Sequence, residues 1–175
     1  DSSNFGLPIN PKAAGPYEDL HAFMNDAGTL AKSLLEMGIN GMKIWPFDGA
    51  AERSGGKYIS KTDLKAALEP FEKIRSSVGD QMNIHVEFHS MWQLPTAIKI
   101  AEALEEYNPY WYEDPIKMNN IDAVVEYSKR TNVWVTASET LSTRWGFREL
   151  FEKNAASVCM LDVAWTGGIS EAKKI

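Results

Sequence analysis

Three observations predict an α/β fold, with a parallel sheet covered by helices. Short apolar runs alternate strictly with segments of helical periodicity, the pattern that arises when each strand needs a helix to carry the chain back to the start of the next parallel strand. Three of the runs lead into Glu87, Glu113 and Glu139, which recur every 26 residues, close to the roughly 30 residues of one strand–helix–strand unit. Finally, Lys43, Glu87, His89, Glu113, Glu139 and Asp162 all fall at or next to the C-terminal ends of runs. Function gathers at that end of such sheets, because the loops into the helices begin there.

Taken in order, residues 1–16 carry Asn, Gly, Pro and Ser without periodicity and read as a surface loop. From about Asp26, Leu30, Leu34 and Met37 recur at helical spacing, with Gly38 as the C-cap. Gly41 to Asp48 holds a brief strand stopped by proline, and the polar stretch 49–58 reads as a loop. Ser60 and Asp63 have the form of a helix start, the serine taking an orphan N–H and the acid returning the favour. Leu64, Ala67, Leu68, Phe71, Ile74 and Val78 share one side of that helix, which should kink at Pro70 and end at Gly79. Strand 83–88 comes next, and Pro95 opens a helix with Ile98, Ala101 and Leu104 inward. Tyr110 to Tyr112 form a strand, Ile121, Val124, Val125 and Ser128 mark a helix, and Val133 to Ala137 form the strand before Glu139. A helix at 145–152 turns Phe147, Leu150 and Phe151 inward. Last come a buried-strand run at 157–162, a Gly167–Gly168 turn and the opening of another helix. Five strands result.

The chain has 175 residues, 44% of them hydrophobic, and a net charge of −6. That balance speaks for an ordinary globular protein and against a nucleic-acid surface, which needs clustered Lys and Arg. No apolar run approaches a membrane span and no signal peptide is read. Cys159 is the only cysteine, so no disulfide framework is expected and the cytoplasm is the default compartment. A closed barrel of eight strand–helix units takes about 250 residues, so the chain is expected to be a fragment of one.

Three acids delivered to the same end of neighbouring strands would converge, and converging carboxylates repel unless a cation lies between them. A hard divalent metal is the simplest occupant. Each residue also has a plainer reading. A glutamate at a strand end is commonly a solvated loop residue, His89 a satisfied structural histidine, Asp162 a cap for the segment after it, and Lys43 a solvated charge. His85, two residues before Glu87 on the same strand face, is expected to be core.

The succession Glu87-Phe88-His89, Tyr112-Glu113-Asp114-Pro115, Ala137-Ser138-Glu139, Thr143-Arg144-Trp145 and Leu161-Asp162, followed by Gly167-Gly168-Ile169-Ser170-Glu171-Ala172, resembles the mandelate racemase/muconate lactonizing enzyme group of the enolase superfamily. The resemblance implies a partial (β/α) TIM-type barrel without the N-terminal capping domain and last strands, residues 41–175 supplying strands two to six. It implies Mg²⁺ held by Glu87, Glu113 and Glu139, a small-molecule sugar acid as partner, and a homo-oligomer at full length. His89 would act as acid to a leaving hydroxyl, and Asp162 would partner a histidine on the next strand. Lys43 would contact substrate oxygens, and Asp114 would hydrogen-bond behind the ligands.

The sequence departs from the group at two places: the first ligand is usually Asp, and the second lysine of a K-x-K pair is replaced by Trp45. Among the aromatic residues, Trp45 and Trp92 come after strand ends and are expected to line the pocket, with Arg144 a substrate contact or a structural cation. The implied reaction is dehydration of the sugar acid through an enediolate, with an isomerase of the same group, or a non-catalytic metal-stabilised barrel, as alternatives.

Overall fold

The computed structural model describes residues 19–175, and the loop expected at 1–16 lies outside them. Five strands, β1 (Gly41–Ile44), β2 (Asn83–Glu87), β3 (Trp111–Glu113), β4 (Trp134–Ala137) and β5 (Val158–Cys159), form one sheet in sequence order. Every adjacent pair is parallel. Seven α-helices alternate with them: α1 (Asp19–Glu36), α2 (Asp48–Ser54), α3 (Lys61–Val78), α4 (Leu94–Leu104), α5 (Ile121–Arg130), α6 (Thr143–Glu152) and α7 (Ile169–Ala172). None of the described helices is long and apolar enough to cross a membrane.

The strand alternation sets the two faces. Met42, Ile44, Ile84, Val86, Tyr112 and Val135 are buried against the helices, so Lys43, His85, Glu87, Trp111, Glu113, Trp134 and Thr136 project to the other face. Register lines these up in rows: Lys43 with His85, His85 with Trp111, and Trp111 with Trp134. One step nearer the C-terminal ends, Glu87 stands opposite Glu113 and Glu113 opposite Thr136. The apolar half of each strand therefore builds the core, and the polar half is displayed together.

Local chemistry fixes the helix ends. The Ser60 hydroxyl accepts the Asp63 N–H at 3.0 Å, but the Asp63 carboxylate takes the Ser60 hydroxyl and Arg53 rather than the Ser60 backbone N–H. Asn120 caps α5 by accepting the Ala123 N–H. Pro95 lies in the first turn of α4, and Gly79 closes α3.

Several expectations are corrected. Residues 49–58 are not a loop throughout, since α2 occupies Asp48–Ser54 and ends on Gly55 in the left-handed region. An acid in its first turn, Ala50 and Ala51 within and Arg53 in its last turn support this short helix. α1 begins at Asp19, well before Asp26, and the break in helical dihedrals lies at Asp26 within it, while α3 runs on through Pro70. The inward face of α4 is Ala97, Ile100, Ala101 and Leu104 with Ile98 half-buried, and Tyr127 lies deeper in α5 than Val125 or Ser128. Phe151 is exposed. The 157–162 run pairs only at Val158–Cys159, and Cys159 is exposed.

Two close approaches hold the layers. At Gly28 any Cβ would meet the Ser77 side chain and the Lys73 carbonyl, so α1 lies tight on α3. Gly56, with φ +70, has the Met91 carbonyl where a Cβ would stand. Its own carbonyl accepts the Gln93 N–H and the Lys57 carbonyl the Thr96 hydroxyl, which clamps the segment after α2 to the start of α4.

Candidate functional site

The register that pairs Glu87 with Glu113 brings their carboxyl groups together at the C-terminal ends of β2 and β3, each 1% exposed. The Lys43 ammonium, reaching across from β1, lies 3.0 Å from Glu87 Oε2 and 2.7 Å from Glu113 Oε1. The other oxygen of Glu87 accepts the backbone N–H groups of Phe88 and His89, at 3.1 and 2.8 Å. The long side chain is thus folded back on its own turn.

Burial dominates the electrostatics of the pair. It pushes Glu87 up to about 9, helped by the hydrogen bond and charge of Glu113 and opposed by Lys43. Burial also works upward on Glu113, but the Glu87 hydrogen bond and the Lys43 ammonium outweigh it and hold that carboxylate below its ordinary value. Burial and the closeness of the two carboxyl groups favour one proton shared by the pair. Lys43 would be lowered by burial, yet the two glutamates hold it above its usual value.

His89 comes next in left-handed backbone, φ 51, as does Ser90. Its Nδ1 lies 2.8 Å from Oδ2 of Asp48, a buried carboxyl in the first turn of α2, and its ring meets Trp45 edge-on at 6.1 Å. Burial raises Asp48 and the His89 contact works against that rise.

Behind the pair, Asp114 is fully buried and its Oδ2 accepts the Glu139 N–H at 3.2 Å. Burial pushes it up to about 7, opposed by the Ser138 hydroxyl and the Glu139 N–H. Asp114 therefore holds the turn that carries Glu139.

Glu139 itself does not join the pair. Among the described residues no three His, Cys, Asp or Glu side chains form a metal-holding group. The equal sequence spacing misleads here because register puts Thr136 opposite Glu113. Glu139 stands two residues beyond the end of β4, after the cis Ala137–Ser138 peptide. Two of the three expected ligands thus converge. Their oxygen donors and the ammonium standing between them fit a site that calls for a hard cation.

Other expected site residues lie elsewhere. Trp92 is 1% exposed and packs in the core, beside a cavity with Gln93, Leu94 and Ile116 that does not include the glutamate pair. Arg144 donates from its backbone N–H, Nε and Nη2 to the Glu171 carboxylate, which ties α6 to α7. Asp162 is exposed and accepts the Trp165 N–H, so it caps a turn. His85 is half-buried with its ring 4.1 Å from Trp111. Sequence reasoning missed the Asp48 partner of His89. The acid opening a short Ala-rich stretch before Arg53 was its available signal, hidden once 49–58 was read as loop.

Parallel strands that gather acids, a lysine and a histidine at their C-terminal ends define an α/β site of the barrel type. Residues 26–175 match the family described as enolase C-terminal domain-like, and the chain belongs to that family, within the mandelate racemase/muconate lactonizing enzyme group. A solved enolase of the mandelate racemase subgroup from Agrobacterium tumefaciens, with a succinimide residue, is 59% identical. It superposes with a TM-score of 0.83 over 85% of this chain and 41% of that one. An arabinonate dehydratase from Saccharolobus solfataricus is 31% identical over 67% of this chain and 31% of its own length. A D-gluconate/D-galactonate dehydratase from Picrophilus torridus is 26% identical over 98% of this chain. The chain spans less than half of either relative, 31% and 46%.

Proposed function

We propose that the protein containing this chain dehydrates a sugar acid through an enediolate, with residues 41–175 supplying strands two to six of a (β/α) barrel. The observation that carries the reading is the Glu87–Glu113 pair sharing one cation at adjacent strand ends, 3.0 and 2.7 Å from the Lys43 ammonium, with His89 at the same rim. The dehydratase relatives support the reaction class.

In this reading Glu87 and Glu113 would hold Mg²⁺ from adjacent strand ends, and Glu139, which stands apart from them here, would have to come up from the turn after β4 to complete the set. When bound, the ion supplies Lewis-acid stabilisation for the charge that develops on the substrate carboxylate as the α-proton leaves. The α-proton passes to a base, in this reading the histidine expected on the strand after β5 of the intact barrel, and residues of this chain supply the remaining steps. Asp114 anchors the Glu139 turn, and the Phe88 and His89 N–H groups fix Glu87. The Lys43 side chain, 41% exposed, offers a cation to substrate oxygens, and Trp45 walls the pocket beside His89. His89 gives a proton to the β-hydroxyl as its C–O bond breaks, so that water leaves and the enol becomes a 2-keto-3-deoxy acid.

A second reading, an isomerase using the same enediolate, is favoured by the subgroup of the 59% identical structure. Incubating the intact protein with Mg²⁺ and a panel of aldonates and aldarates separates the two. Loss of 18 mass units, about one water, with a 2-keto product is expected, and an unchanged mass with inverted configuration would replace dehydration by isomerisation. Glu113→Gln should abolish either reaction. A panel with no turnover, in protein that Mg²⁺ stabilises against heat, would instead indicate a metal that only holds the barrel together.

A further inference from the structure

We propose that Asp48 is the positioning residue for His89, fixing which imidazole nitrogen exchanges a proton at the mouth of the sheet. Its catalytic consequence rests on the dehydratase reading above, whereas its hold on the ring does not.

His89 is fastened from three directions by three different elements. Its backbone N–H donates to Glu87 Oε1 at 2.8 Å, its ring meets Trp45 after β1 edge-on at 6.1 Å, and its Nδ1 lies 2.8 Å from Asp48 Oδ2. The contact is a close approach and not an aligned hydrogen bond, and an ionised Asp48 at that distance favours the hydrogen on Nδ1. The proton that comes and goes in acid catalysis is then the one on Nε2, and it passes from there to the departing hydroxyl to make water. Removing the carboxylate takes away the contact at Nδ1, and the χ2 torsion that it opposes is a broad and shallow well.

The contact is poorly explained as a stability device. Asp48 is 5% exposed, and its second oxygen, Oδ1, has no hydrogen-bond partner among the described residues. Burying a carboxylate with half its acceptors unmet is costly, by more than the helix-dipole gain of an acid in the first turn of α2 returns. The acid is kept where the chain after β1 meets the rim of β2, facing the imidazole that follows Glu87. Orienting a histidine through its second nitrogen is the usual task of such a carboxylate.

The test uses the intact protein labelled with ¹⁵N-histidine. In the wild type, neutral His89 should show Nδ1 as the hydrogen-bearing nitrogen and Nε2 as the bare one. Asp48→Ala should move the ring toward the Nε2–H form, while Asp48→Asn, whose amide oxygen still accepts from Nδ1, should keep the wild-type pattern. With a sugar acid that turns over, Asp48→Ala should lower kcat by about 10- to 100-fold with KM changed less than about threefold. Asp48→Asn should recover most of that loss, and Asp48→Ala should cost nothing further in a His89→Ala background. A wild-type tautomer in Asp48→Ala, or an equal loss of kcat with and without His89, would overturn the proposal. If no sugar acid turns over, the reaction reading fails, and the nitrogen spectra alone decide whether Asp48 sets the ring.

Discussion

Two glutamates buried side by side on β2 and β3 would repel if both were ionised, and the protein answers with a proton and an ammonium. Glu87 is pushed up to about 9 from an ordinary 4.5, by burial first and Glu113 second. The folded protein therefore keeps a proton that the unfolded chain has released across that interval. Its contribution to stability is complete below about pH 4.5 and gone above about pH 9, falling by no more than about 1.4 kcal/mol per unit between. Glu113, held low, acts with the opposite sign but beneath this window. Urea unfolding of the metal-free intact protein from pH 5 to 9 should show midpoints that decline with pH, and Glu87→Gln should flatten the decline. Midpoints that climb would contradict the shared proton. Lys43→Met removes the other answer and leaves the carboxyl pair uncompensated. Because Lys43 is 41% exposed, solvent softens the loss to about 1–3 kcal/mol at pH 8. Mg²⁺ should restore more stability to this variant than to the wild type, as read by melting with and without the ion.

At the level of elements, the number and order of strands follow from the alternation of apolar runs with helical periodicity, and all five form within a residue of the expected runs, the last shortened to Val158–Cys159. Heights within the sheet do not follow from it. Glu87 and Glu113 are level because β2 and β3 pair residue for residue through Val86–Tyr112, whereas the next pairing sets Thr136 opposite Glu113. A count along the chain cannot register where a strand stops and its turn begins. The same limit hid α2, whose seven residues are too few for periodicity to mark against a polar background. It also hid Arg75, which looks like one more surface cation at the end of α3. Its guanidinium donates to the carbonyls of Tyr107, Gly79, Met82 and Asn108, joining α3 to the turns that open β2 and β3. Arg75→Ala leaves these acceptors without their shared donor and should cost about 2–4 kcal/mol, measured by urea unfolding. Arg75→Lys should recover only a minor part, since one ammonium cannot span the planar fork.

For the whole molecule, the consequence of alternation is a sheet with one face packed on helices and the other carrying the polar and aromatic rows. That second face is polar at the C-terminal rim, where Lys43, Glu87 and Glu113 meet, and aromatic further down. There His85 and Trp111 stack, Tyr110 meets both Trp111 and Trp134, and Trp134 is 52% exposed. The strands β1 and β5 end the sheet among the described residues, so each presents one row of backbone groups to no further described strand. Aromatic surface beside open strand edges promotes association between copies. The 175-residue chain produced alone should therefore sediment as a mixture of monomer and larger species at tens of micromolar, roughly the range in which such exposed edges pair. Trp134→Lys puts a charge on that face and should shift the mixture toward monomer. Trp145, more exposed still at 66% but on α6, is the control, and Trp145→Lys should leave the distribution unchanged. Equal effects of the two substitutions would mean that general surface apolarity, and not this face of the sheet, governs association.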